Sequence, residues 1–280
     1  MLPVNWNTAI QYAGLVKIAE AVAPNGSYGP PEISQIKLAG YTFLQTIYGD
    51  DLATDIDSHL GCVVTFGFLA VSDAKELVAA IRGTDTILEW LHDASYLMVP
   101  STIPGVHGYT EDGFTTVYRS LRTGASNGSL TARDSIKSYL DTGAATCVTV
   151  CGHSLGGALA TLLTLDVGLN TSCRAPNVYT YASPRTGDHI FAGSFNAAIT
   201  ASYRISNRQD LVTKLPPIVP LPYEHVNTKY ELNPPPNQIE SSIPCMHHLT
   251  TYLWLMGQLA GSTAQALDPD CKATGEEMHI

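Results

Sequence analysis

The order of apolar runs along the chain predicts an α/β fold with a central, mostly parallel sheet flanked by helices. Three observations carry that prediction. Cys147-Val-Thr-Val-Cys151 is a short β-branched run, Gly152-His-Ser-Leu-Gly-Gly157 a glycine-bounded turn, and Ala158 to Leu165 an alanine- and leucine-rich run. Strand, tight turn and helix is the natural reading of that stretch. Strand-like and helix-like runs alternate on both sides of it, as parallel sheets with crossover helices require. Finally, 280 residues with 45% hydrophobic and only 14% charged side chains suit an ordered globule with a large core.

Taken in order, Thr8 to Ala23 carries a helical stripe of Ile10, Gly14, Leu15, Ile18, Ala19 and Val22, ended by Pro24-Asn-Gly. Pro30-Pro31 opens a second predicted helix, with Ile33, Ile36, Leu38, Phe43, Leu44 and Ile47 on its apolar side and Gly49-Asp-Asp as its stop. Cys62 to Val71 and Glu76 to Ile81 read as paired strands around the turn Ser72-Asp-Ala-Lys75. Gly113 to Tyr118 and Thr131 to Leu140 look helical, and the strand–turn–helix unit follows. After it come a strand at Asn177 to Ala182, a helix at Asp188 to Ile199, and a strand at Ser202 to Ser206. A proline-rich loop (Pro216 to Pro222), a last strand at His225 to Leu232 and a closing helix at Leu249 to Leu259 complete the pattern. The polar tail from Ser262 is expected to wander. No repeat and no long linker divides the chain, so residues 1–280 are expected to form one domain.

A net charge of −10 without any lysine- or arginine-rich run argues against nucleic acid as a partner. No apolar run reaches 18 residues, so no transmembrane segment is expected. The first residues show neither a basic region nor an apolar one, so no signal peptide is visible; a cytoplasmic chain and the mature form of a secreted one both stay open. Cys62, Cys147 and Cys151 lie in strand-like runs, and Cys147 and Cys151, an even number apart on one strand, read as buried thiols, whereas Cys173, Cys245 and Cys271 lie in loops and are candidates for bridges. Nothing in the sequence speaks to oligomeric state.

Ser154 stands at the apex of the strand-to-helix turn in the frame Gly-x-Ser-x-Gly. Small neighbours two residues away on each side let strand and helix close around it, and the hydroxyl is displayed beside the positive end of the helix. The frame alone is weak, because Gly124-Ala-Ser-Asn-Gly128 also matches it. That second match follows a polar, Arg-bearing stretch and reads as a loop, so context selects Ser154. A serine becomes a useful nucleophile only when an imidazole takes its proton and a carboxylate holds the imidazole. In a strand–turn–helix setting the order is Ser, acid, His, with both partners on loops after later strands. Asp166 lies in the helix behind the turn, and helix capping explains Asp188. Asp210, after the strand ending at Ser206, stands where the acid belongs, although a turn aspartate would also suit its loop. Among the later histidines, His225 suits a structural hydrogen bond at a strand start, and His247 and His248 lie in the right kind of loop before the closing helix. Cys245-Met-His-His has no second ligand cluster, so no metal and no other cofactor is expected.

These residues resemble the class 3 (fungal-type) lipase family of α/β hydrolases, which also includes feruloyl esterases. The resemblance runs from about Leu77 to Tyr252. It rests on Ile81-Arg-Gly-Thr84 with Trp90-Leu-His-Asp93, Val106-His107, Gly113-Phe114 with Tyr118, and Gly152 to Gly157. It continues through Tyr179-Thr-Tyr-Ala-Ser-Pro-Arg-Thr-Gly187 and Arg204-Ile-Ser-Asn-Arg-Gln-Asp210 ahead of Leu215-Pro-Pro217. It implies Ser154 as nucleophile and Asp210 as triad acid. The spacing His-x-Leu-x-x-Tyr of plant and bacterial relatives selects His247, within His247 to Tyr252, as the base; the shorter fungal spacing favours His248, which stays the alternative. The backbone N–H of Leu155, just after the nucleophile, is one oxyanion donor by the geometry of such turns, and the resemblance implies Thr84 as the other. It also implies a lid over about residues 85–99, in which Ile87, Leu88, Trp90 and Leu91 crowd one side of a short helix and would meet substrate. The expected activity is that of a serine carboxylic-ester hydrolase, a lipase cleaving acylglycerols or similar esters at a transient lipid–water interface. A feruloyl or other aryl esterase is the alternative, and an inactive hydrolase fold used as a binding module is a third reading.

Overall fold

The computed structural model describes residues 3–21, 31–50, 63–84, 96–126 and 128–273. In chain order the described elements are α1 (Trp6–Glu20), α2 (Ile33–Leu38), β1 (Tyr41–Asp50), β2 (Val63–Ser72), β3 (Glu76–Ile81), β4 (Met98–Pro100), β5 (Tyr109–Glu111), α3 (Asp112–Ser120) and α4 (Ala132–Asp141). There follow β6 (Cys147–His153), α5 (Leu155–Asn170), β7 (Asn177–Tyr181), β8 (Gly187–Asp188), α6 (His189–Ala198) and β9 (Ala201–Asn207). The chain continues through β10 (Tyr223–Glu224), β11 (Lys229–Leu232), α7 (Ile243–His247) and α8 (Leu249–Ala260).

Among the described residues the main sheet has the strand order β1-β2-β3-β6-β7-β9-β11. The first three strands pair antiparallel, and from β3 to β11 every neighbour is parallel. A small antiparallel sheet, β10-β8-β5-β4, stands apart from it. The central strand β6 is buried on both faces from Val148 onward, which is why it reads as a nearly continuous apolar run instead of an alternating one. One face is covered by α5, nearly all of it buried, with Phe114 and Phe195 from α3 and α6. The other face is covered by α1 and α8, with Leu15, Tyr252 and Met256 fully buried. This is the mostly parallel sheet flanked by helices that the alternation of runs predicts.

Several local expectations need correction. The second helix stops at Leu38, and Phe43, Leu44 and Ile47 belong to strand β1. Gly40, at φ +88°, ends the helix, and the run Tyr41 to Tyr48 is rich in aromatic and β-branched side chains that prefer a pleated surface. A four-residue spacing such as that of Phe43 and Ile47 suits a helical stripe, yet in β1, with an irregular register after Phe43, these two side chains pack on opposite faces of the sheet. The last strand begins at Lys229; His225 instead lies in the turn before it and donates Nε2–H to the carbonyl of Thr213 at 2.7 Å. Burial, with Arg204 nearby, pushes His225 down to about 3, so it is held neutral. The polar tail does not wander as far as residue 273, because Leu267 is buried and Cys271 is bonded to Cys245. Cys173 is a free, buried thiol, and Cys151 is buried as expected, but Cys147 is exposed. It shares a face with Cys151, yet it sits at the strand's uncovered start. Cys62 lies outside the described residues.

Candidate active site

The site is built where β6 turns into α5. Ser154 adopts φ +57°, ψ −126°, a conformation that costs a non-glycine residue about 1–3 kcal/mol and persists only when its surroundings enforce it. They do so through the backbone: the N–H of Ser154 donates to the carbonyl of Tyr181 at 2.9 Å, and its own carbonyl accepts from Gly157 N–H at 2.9 Å. The glycines of the frame have a steric cause. A Cβ on Gly152 would stand 2.1 Å from the carbonyl oxygen of Gly156, so strand and helix could not close with any larger residue there. The loop after β3 also passes close: a Cβ on Gly83 would lie 3.0 Å from Cβ of Ser154, which brings the neighbouring Thr84 to this corner. Leu155 is the first residue of the helix, where backbone N–H groups lack intrahelical acceptors.

Asp210 and His247 reach Ser154 from two loops. His247 Nε2 lies 2.8 Å from Ser154 Oγ, and His247 Nδ1 lies 2.9 Å from Asp210 Oδ2. A carboxylate can only accept, so Nδ1 carries the proton and Nε2 is left to accept from the serine hydroxyl. Asp210 is fully buried, and its desolvation is offset by two further donors, Tyr252 Oη–H at 2.7 Å and the N–H of Val212 at 2.9 Å. Asn207 ties this corner together. Its N–H donates to Tyr252 Oη at 2.9 Å, and its Nδ2 donates to the carbonyl of Met246, next to His247, at 2.8 Å. Burial pulls the pKa of His247 below the ordinary histidine value, against the opposing pull of Asp210 and with a further push from His153.

Of the two adjacent histidines, His247 therefore faces Ser154. His248 is exposed and caps α8, its Nδ1 2.7 Å from Thr250 Oγ1. Asp188 caps α6 by accepting from Phe191 N–H at 2.8 Å, and Asp166 accepts from Tyr118 Oη–H at 2.5 Å behind the turn. Neither approaches the serine's partners. Ile87, Leu88, Trp90 and Leu91 of the expected lid lie outside the described residues. A cleft of 430 Å³ borders the site on the side of His153 and His247, lined by Glu20, Gly83, Thr84, His153, His247 and Leu249 among others. Among the described residues no three His, Cys, Asp or Glu side chains converge as metal ligands, and no helix is long and apolar enough to cross a membrane.

Three contributors escape a reading of the sequence: Tyr252 and Asn207 on the acid, and the pair Glu20–His153 beneath His247. For Tyr252 a signal existed, since the His-x-Leu-x-x-Tyr spacing puts it one and a half helical turns beyond His247. No sequence pattern connects Glu20 to residues more than a hundred positions away.

A strained serine on a strand-to-helix turn, with a histidine and a buried carboxylate in line behind it, is the geometry of a Ser–His–Asp triad on an α/β fold. The chain belongs to the class 3 lipase family, whose sequence model matches residues 78–219. Phospholipase A1-II 6 of Oryza sativa subsp. japonica is 31% identical over 185 residues, 57% of this chain and 44% of the rice protein. Secreted mono- and diacylglycerol lipase 1 of Fusarium solani is 29% identical over 188 residues, covering 65% and 52% of the two chains. The chain thus spans about half the length of the curated relatives it matches. Among solved structures, the nonglycosylated LIP2 lipase of Yarrowia lipolytica superposes with a TM-score of 0.63 at 21% identity, over 85% of this chain and 82% of that one. The lipase of Rhizopus microsporus var. chinensis gives 0.62 at 22% identity, over 81% and 74%. These likenesses are to the α/β-hydrolase fold that the family resemblance implies.

Proposed function

We propose that this protein is a serine carboxylic-ester hydrolase that cleaves acyl esters of glycerolipids through an acyl-enzyme. The observation that carries the reading is the aligned contact of Ser154 Oγ with His247 Nε2 at 2.8 Å and of His247 Nδ1 with Asp210 at 2.9 Å. As Ser154 Oγ bonds to the ester carbonyl carbon, its proton passes to Nε2 of His247, and Asp210 holds the resulting imidazolium in place. The negative charge that forms on the carbonyl oxygen is met by the N–H of Leu155 and by Thr84. His247 then gives the proton to the leaving alkoxide, and water repeats the sequence in reverse to free the acid. No step calls on a cofactor.

The names of the relatives, phospholipase A1 and mono- and diacylglycerol lipase, support a substrate class of glycerol-linked acyl chains. Exposed apolar side chains beside the site, Leu211 next to Asp210 and Ile243 at the start of the helix ending in His247, support brief contact with a lipid–water interface. The residues 85–99, with Ile87, Leu88, Trp90 and Leu91, are read as a lid on the family resemblance. The test is turnover of an ester series, from short p-nitrophenyl esters through long-chain acylglycerols and phospholipids to methyl ferulate, with and without an interface. Acyl esters are expected to be preferred, and Ser154→Ala to lower kcat by about 10⁴-fold or more with the fold intact. Preference for methyl ferulate would move the assignment to an aryl esterase, and an active Ser154→Ala protein would end it.

A further inference from the structure

Directly before the serine, His153 is buried, with both of its ring nitrogens engaged. Its Nε2 lies 2.8 Å from the backbone carbonyl oxygen of His247, and its Nδ1 lies 2.8 Å from Glu20 Oε1 on α1. Its ring packs at 4.9 Å from the ring of His247 and at 6.3 Å, edge-on, from Tyr252. A carbonyl and a carboxylate are both acceptors, so a neutral imidazole could satisfy only one of them. The arrangement therefore calls for a doubly protonated His153. Burial works against that charge, but the neighbouring Glu20 carboxylate outweighs it, so the pKa of His153 is raised.

We propose that Glu20 and His153 are a positioning pair: Glu20 holds His153 so that its Nε2–H grips the carbonyl of His247 and sets that imidazole against Ser154. The inference rests on the triad reading above. It gives α1, near the start of the chain, a part in the alignment of a triad whose members Ser154, Asp210 and His247 all lie beyond residue 150. The groups around the pair are Glu20 with Lys17 on α1, His247 and His248 on the loop before α8, Tyr252 on α8, and Asp210 behind His247. Glu20 also neutralises a cation that would otherwise oppose the charge His247 acquires during attack.

Substitution at Glu20 separates positioning from plain stability, because this side chain is only partly buried. Glu20→Ala is expected to lower kcat on a p-nitrophenyl ester by about tenfold or more, a loss of the size that follows small misplacements of a reacting group, with KM little changed. Glu20→Gln restores most of kcat, since its amide N–H can donate to Nδ1 of a neutral His153 that keeps Nε2–H for His247. On the unmutated protein, nitrogen-15 NMR at pH 7 should report His153 as an imidazolium and report it as neutral in Glu20→Gln. A Glu20→Ala protein as active as the parent, a loss confined to KM, a Glu20→Gln protein no better than Glu20→Ala, or a neutral His153 in the parent would each overturn the proposal. Ser154→Ala in the same assay keeps the two ideas apart: if it remains active the triad reading fails, whereas an inactive Ser154→Ala beside an unaffected Glu20→Ala removes the positioning pair alone.

Discussion

Gly152–Gly156 and Gly124–Gly128 carry the same five-residue frame around a serine, yet the chain uses them in unlike ways. Around Ser154 a buried strand enters and a buried helix leaves, and three backbone segments press together so closely that a single Cβ on Gly152 would overlap a carbonyl. Around Ser126 the chain is a surface turn. Among the described residues Ser126 Oγ has the hydrogen bond to Ser129 Oγ, at 3.0 Å, and a Cβ on Gly128 would meet nothing within 4 Å. The glycines of the first frame are steric requirements, and the last glycine of the second is replaceable. What turns a serine into a candidate nucleophile is the packing that forces it into a strained turn and delivers partners to it, which five letters cannot encode.

The widest separation of the two frames should come from adding one methyl group to each. Gly152→Ala should lose about 4 kcal/mol of stability or more, and turnover with it, while Gly128→Ala stays within about 0.5 kcal/mol of the parent. Denaturant unfolding of both proteins is the measurement, and equal effects would break the comparison. A smaller effect concerns the partner that only the first serine has. His247 must be neutral to accept a proton, and its pKa lies below the ordinary histidine value of 6.5, chiefly through burial. The acid limb of kcat/KM should accordingly have its midpoint below about 6.5. A midpoint at or above that value would mean that the buried histidine is not the titrating base. The smallest effect is at the second serine: Ser126→Ala should leave stability within about 0.5 kcal/mol and turnover within about twofold.

The legible parts of this molecule are those in which local pattern and tertiary role coincide. The β6–turn–α5 unit could be read directly because its strand, its glycines and its helix all obey local rules for the same reason that they build the site. Asp210 could be narrowed by its address after a strand, and His247 set beside His248, because the loop order of such folds restricts where partners can arrive. Illegible parts are those decided by distant packing. Whether residues 41–50 are helix or strand depends on their pairing with β2, and the periodicity of three or four apolar residues does not distinguish the two. Exposure of Cys147 depends on where the covering helices begin. The grip of Glu20 on His153 spans 133 positions and leaves no mark in either neighbourhood.

The bond between Cys245 and Cys271 closes a 26-residue span that contains His247, Tyr252 and the whole of α8. In the chain-entropy view a closure of that length limits the unfolded ensemble by about 3.5 kcal/mol. Reduction is therefore expected to cost the whole domain that stability, while the covalent tie it removes is one that holds the segment carrying the proposed base.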